Sequence, residues 1–198
     1  MGECAGVQDV FAHPQNMASM MGSSPPNKAA GAFHSVSGIN DYCRLRYLRM
    51  MQRYWEIPGL AEEKQLGESK KLEAEVDAMI HRWMLKPLAM LTPSLSRVFL
   101  IELRTTALER CARAALAAQR YRLARGKWPG GWGELVPGYL EGEPIDPFTG
   151  KALMMKVADG VLTVYSVGDD LTDNGGARVN GKGQMYEAGT DVVFEIGR

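Results

Sequence analysis

The hydrophobic period changes once along this chain, at Trp128-Pro129, and that change limits the fold more than any other feature. Upstream, apolar residues recur at three- and four-residue spacing. Leu100, Leu103, Ala107, Cys111, Ala114, Ala118 and Tyr121 form one stripe, with Ile101, Leu108 and Ala115 beside it. Glu102, Thr106, Glu109, Arg113 and Arg120 fall on the opposite, wet side. The spacing predicts one long amphipathic helix, capped by Thr92 or Ser94 and running to Arg125. Gly126 stands as its C′ residue, and Arg122 and Arg125 suit the negative end of the helix dipole. Downstream the pattern alternates. Leu153, Met155 and Val157 alternate with other residues, Ala158-Asp159-Gly160 is a hairpin signal, and stretches 161–167 and 191–196 read as two more strands. Three short strands have one face to bury, and the long helix is their natural cover.

Two further helices are predicted upstream. One spans residues 40–56, started by Asn40 or Asp41 and stopped by Ile57-Pro58-Gly59, with Tyr42, Leu45, Leu48, Met51 and Trp55 as its apolar side. The other spans 60–83, with Leu66, Leu72, Val76, Met79, Ile80 and Trp83 on one side. Residues 1–35 are rich in Met, Ser, Gly, Pro and Ala without a period and read as a flexible lead-in. The expected organisation is a lead-in over 1–35, a helical region over 36–96 and an α+β module over 97–198. The fold class is α+β: N-terminal helices, then a long helix packed on a small three-stranded antiparallel sheet with a long acidic loop.

The formal charge is zero over 198 residues, but it is unevenly spread. Residues 97–127 hold eight Arg and Lys against two Glu, and residues 128–198 hold eleven Asp and Glu against five Arg and Lys. A basic helix is thus followed by an acidic cap, and the two halves can attract each other or meet different partners. The arginines at 104, 110, 113, 120 and 122 raise an anion- or nucleic-acid-binding alternative. They spread around the helix rather than line one face, and no nucleic-acid partner is expected.

No apolar run reaches the roughly 18 residues of a membrane span. The N-terminal MGECAGVQDVFAHP has neither a basic n-region nor an apolar h-region. Cys4, Cys43 and Cys111 are scattered, with no disulfide or zinc spacing, and Cys111 reads as core. His13, His34 and His81 are isolated, and neither a nucleophile elbow nor a phosphate loop is present, so no catalytic residue is assigned and a non-enzyme is expected. The alternative is an accessory part of a larger enzyme. Trp128, Trp132 and Tyr139 are expected to pack the helix-to-sheet joint, and Asp146, between two prolines, to brace a turn. No small-molecule substrate is evident.

Between residues 168 and 190 runs a connection of about 20 residues, longer than structureless loops usually are. It supplies Asp169, Asp170, Asp173 and Asn174, and Asp191 follows. Clustered carboxylates attract a hard cation, and calcium takes about 6–8 oxygen ligands. The spacing is not that of an EF-hand, because Thr172 stands third from Asp170 and no Glu stands twelfth. The other reading is a turn-rich loop whose Asp, Asn and Gly serve backbone geometry. Arg178 and Lys182 in the same loop favour that second reading.

Four blocks in order carry a family resemblance. They are Tyr121-Arg122-Leu123-Ala124-Arg125-Gly126-Lys127-Trp128-Pro129, then Glu134-Leu135-Val136, then Pro144-Ile145-Asp146-Pro147-Phe148-Thr149-Gly150-Lys151, and then Ser166-Val167-Gly168-Asp169-Asp170 with Asp173-Asn174-Gly175-Gly176 and Asp191. Over about residues 100–196 the chain resembles the soluble end of the type II secretion major pseudopilin. The resemblance implies a structural or protein-interaction module of a bacterial envelope or secretion-related protein, periplasmic or envelope-associated, with protein partners or self-assembly. It also implies a calcium ion held by Asp170 and Asp191, with Asp173 as third ligand and the Val167 carbonyl beside them. The family's membrane-spanning helix half has no counterpart here. Arg97 precedes Phe99-Leu100-Ile101-Glu102-Leu103 where a prepilin cleavage site has Gly, and Arg104, Glu109, Arg110 and Arg113 follow. Each charge at bilayer depth costs about 2.5–3.5 kcal/mol.

Overall fold

A computed structural model describes residues 39–80, 95–177 and 189–197. The lead-in over 1–35, the three histidines, Trp83, Thr92, Ser94, Arg178 and Lys182 lie outside them. The chain divides into two compact units. One holds the residues up to Gly59 together with Glu68–Ser96, and the other holds Leu60–Gly67 together with the chain from Arg97 on.

The first unit contains helix α1 (Ile39–Glu56), a 3-10 turn at Ile57–Gly59 and most of helix α2 (Glu62–Ile80). Leu72, Val76 and Met79 of α2 are buried, as the period predicts. In α1 the predicted face is the wrong one. Tyr42, Leu45, Leu48 and Trp55 are exposed, Trp55 at 87%, while Cys43, Tyr47, Met50 and Tyr54 are buried. Both sets follow helical spacing, so α1 is apolar on two sides and its period alone does not choose between them. Arg53 bridges to Glu75 of α2 through paired bonds of 2.7 and 2.9 Å. Both side chains are nearly half exposed, which keeps such a pair to about 0–1 kcal/mol.

The second unit is built on helix α3 (Ser96–Arg125) and strands β1 (Met154–Ala158), β2 (Val161–Ser166) and β3 (Val192–Gly197). The strands form one antiparallel sheet in the order β1-β2-β3. Asp159 and Gly160 both have positive φ (52° and 77°), the two-residue turn that matches strand twist. Gly126 closes α3 in the left-handed region, its N–H donating to the Arg122 carbonyl at 2.7 Å.

Register places Met155, Val164 and Phe194 in one row and Leu162 beside Ile196 in the next. These residues cover Cys111, Ala114, Ala115, Ala118 and Tyr121 of α3, together with Leu135 and Leu153. The small helix residues allow the close approach that a narrow sheet needs. Cys111 is fully buried, and burial pushes its thiol up to about 12, an inert packing cysteine. A second cluster joins Leu103 and Ala107 to Leu66, Phe148 and Val192. Arg110 reaches Glu62 through two bonds of 2.8 Å and the Ile145 carbonyl at 2.9 Å. The class is therefore α+β. No helix among the described residues is long and apolar enough to cross a membrane.

Strand β2 departs from the expected one-sided burial. Its outward residues, Thr163 and Tyr165, are buried as well. The acidic loop supplies the cover: Gly176 lies so close to the Tyr165 ring that a Cβ there would come within 2.8 Å of Cδ1. Lys156 stands over the same ring and donates to the Gly175 carbonyl.

Candidate functional site: the acidic loop and its anchors

The loop leaves β2 through a 3-10 turn at Gly168–Asp170. Its first anchor is Asp146. The buried carboxylate accepts from the Phe148 N–H at 2.9 Å, the Ser166 hydroxyl at 2.9 Å and the Val167 N–H at 3.2 Å. The first bond is the predicted turn brace. The other two pin the end of β2 from 20 residues away, which the local sequence does not reveal.

The second anchor is Arg104, 2% exposed. Its Nη1 donates to Asp169 Oδ1 at 2.9 Å and to the Thr190 carbonyl at 3.1 Å, and its Nη2 donates to the Thr190 hydroxyl at 3.0 Å. Asp169 also accepts from the Gly189 N–H at 3.0 Å. One helix guanidinium thus holds both ends of the loop. Arg104 therefore turns inward, Arg110 is engaged by Glu62, and Arg113 pairs with Glu109. The helix arginines do not form a common outward row. A signal for Arg104 did exist in the sequence: it lies four residues from Leu100 and three from Ala107, inside the apolar stripe. A charge on a buried stripe calls for a buried partner.

The residues that the resemblance assigns to a metal are distributed as follows. Asp191 is buried, and its oxygens accept from the Asn174 N–H at 3.4 Å and the Gly176 N–H at 2.7 Å. Asp170 is exposed and accepts from the Thr172 N–H at 3.0 Å. Asp173 is exposed, accepts from the Gly175 N–H at 2.8 Å and bonds the Tyr165 phenol. Val167 donates its N–H to Asp146. The carboxylates at 170 and 173 act on Asp191 electrostatically. Among the described residues, no group of three His, Cys, Asp or Glu has the arrangement to hold a metal ion. In this geometry each loop carboxylate accepts a backbone N–H.

Burial, above all, holds the Asp191 carboxyl above its ordinary value of 3.8, with smaller contributions in the same direction from Asp173 and Asp170. The two N–H donors act the other way. Tyr165 is pushed up to about 12, first by burial and then by its bond to Asp173. A carboxyl raised in the folded state binds its proton more tightly there than in the unfolded chain. Its stabilising contribution is present below 3.8 and is lost as pH rises through the raised value. In chelator, Asp191→Asn is expected to flatten the fall in stability across that window, read as urea midpoints at successive pH values. Superimposable profiles for the variant and the parent would contradict the assignment.

At the helix-to-sheet joint, the Trp128 indole donates to the Gly160 carbonyl at 3.0 Å and the Trp132 indole to the Leu153 carbonyl at 2.9 Å. Trp128, Trp132 and Tyr139 pack on the core as expected. A depression of about 330 Å³ remains between Trp128, Pro129 and Gly130 on one side and Met155, Lys156 and Val157 on the other. Comparison of the chain with protein-family models, with curated proteins and with solved structures gives no match.

Proposed function

We propose that the chain from residue 97 on is a pseudopilin-like, non-enzymatic module of a bacterial envelope or secretion-related protein. Its work is structural or protein-binding, and calcium stabilises its acidic loop. The observation that supports this reading is the way the loop is held. Arg104 clamps both ends, Asp191 ties residues 174–176 down over Tyr165, and the carboxylates of Asp170 and Asp173 stand exposed beside that fold-back. A long helix, a small antiparallel sheet and an aspartate-anchored return loop are the parts that the family resemblance implies, in the same order.

Calcium at these carboxylates would offset their mutual repulsion and favour the ionised form of Asp191. Thermal unfolding with calcium, with magnesium and with excess chelator tests the reading. A ligand selective for the folded state stabilises by about 2.7 kcal/mol at a hundredfold excess over Kd. The expected result is a rise in Tm with calcium, none with magnesium, and no calcium response in Asp170→Ala. Equal Tm in calcium and chelator for the parent chain would remove calcium from the proposal.

A further inference from the structure

Helix α3 has a second apolar stripe, on the side away from the sheet. Val98, Ile101, Leu116 and Leu123 are exposed, the last at 78%. Thr105 and the half-buried Ala112 complete a row with steps of three, four, seven, four and seven residues, which stays on one side of a helix. The row runs through most of a 30-residue helix, about 45 Å long. It lies wholly within the second unit.

The charges bordering the row are ordered. Glu102, Glu109, Arg113 and Arg120 are exposed and lie along one flank, acidic in the N-terminal half and basic in the C-terminal half. Glu102 and Arg120 stand nine residues either side of Cys111, and Glu109 and Arg113 stand two either side. When two copies of a helix meet about a two-fold axis in antiparallel fashion, a flank faces itself with its direction reversed. Glu102 then meets the other copy's Arg120, and Glu109 meets the other copy's Arg113. A parallel pair does not bring this flank against itself. Within one copy, Glu109 and Arg113 already bridge at 2.9 Å, and Arg120 lies over the Tyr139 ring at 5.8 Å. Glu109, Arg113 and Arg120 are all exposed, and a surface ion pair such as the first is weak and easily exchanged.

We infer that the outer face of α3 is a self-association surface on which a second copy of this chain docks antiparallel, centred near residue 111. The apolar row supplies the buried strip, and the four charges set direction and register. The inference rests on the helix alone and does not depend on calcium at the loop.

Sedimentation equilibrium of the full chain over a wide concentration range, in calcium and in chelator, gives the first reading. A concentration-dependent dimer is expected in both. Arg113→Glu with Arg120→Glu makes the flank wholly acidic, and Glu102→Arg with Glu109→Arg makes it wholly basic. Each double variant is expected to sediment as a monomer, and an equimolar mixture of the two is expected to recover the dimer. That recovery also shows that both variants fold. Spin labels at position 123 are expected about 36 Å apart along the paired axes, against about 10 Å in a parallel pair. A parent chain that stays monomeric, dimers that survive either charge change, or a short label distance would each overturn the inference. None of these outcomes bears on the calcium response.

Discussion

Replacing Arg104 with methionine is expected to destabilise the protein by about 3–5 kcal/mol, the range for breaking a buried ion pair on one side only. The side chains of Arg104 and Asp169 are 3% and 8% exposed, so solvent does little to screen the carboxylate left behind. The Thr190 carbonyl and hydroxyl lose the donors described above in the same step. Replacing Asp169 with leucine at the same time removes the stranded charge, and the double variant is expected to recover much of the loss. Denaturant midpoints of the parent, the two single variants and the double variant measure both effects. Faster exchange of the Gly189 amide, which donates to Asp169, would report that the loop ends have come loose. A single-variant loss below about 1 kcal/mol would mean that the clamp does not hold the loop.

The second large effect is expected at Gly168. Its φ is +72°, and an added Cβ would stand 2.3 Å from the Thr190 carbonyl oxygen and 3.1 Å from its carbon. The left-handed backbone costs a non-glycine residue about 1–2 kcal/mol, and forcing extra volume into a packed site costs about 1–3 kcal/mol. Gly168→Ala should therefore lose about 2–5 kcal/mol. Gly175 separates the two contributions. It has nearly the same φ, +70°, with no neighbour within 4 Å of an added Cβ, so Gly175→Ala should lose only the backbone part. Equal losses at the two glycines would show that the contact with Thr190 relaxes freely. Chemical denaturation of both variants side by side decides this.

The sequence carried the elements well and the tertiary anchors poorly, for definable reasons. The stripe of α3, the strands and the Asp159-Gly160 hairpin are local patterns, and each lies where its period predicts. In α1, apolar residues at helical spacing occur on two sides, and only packing within its unit selects Cys43, Tyr47, Met50 and Tyr54 for burial. Tyr165 reads as an outward strand residue until a loop reached through Asp191 is folded over it. Asp170, Asp173 and Asp191 were legible as an acidic cluster, but the bond between Arg104 and Asp169 spans 65 residues. Its trace was one charge inside an apolar stripe, a pattern that signals a buried partner without saying which.

The meeting of Asp169 and Thr190 on a single guanidinium also sets how this protein can vary. Bringing the ends of a segment together costs conformational entropy that grows only with the logarithm of its length, about 0.6 kcal/mol for each doubling. Here a side chain of the helix bonds both ends directly. A modest change in the number of residues between Gly176 and Gly189 is therefore expected to alter the closure cost by only tenths of a kcal/mol. The core and the sheet register are expected to survive such a change as long as Arg104, Asp169, Thr190 and Asp191 stay in place.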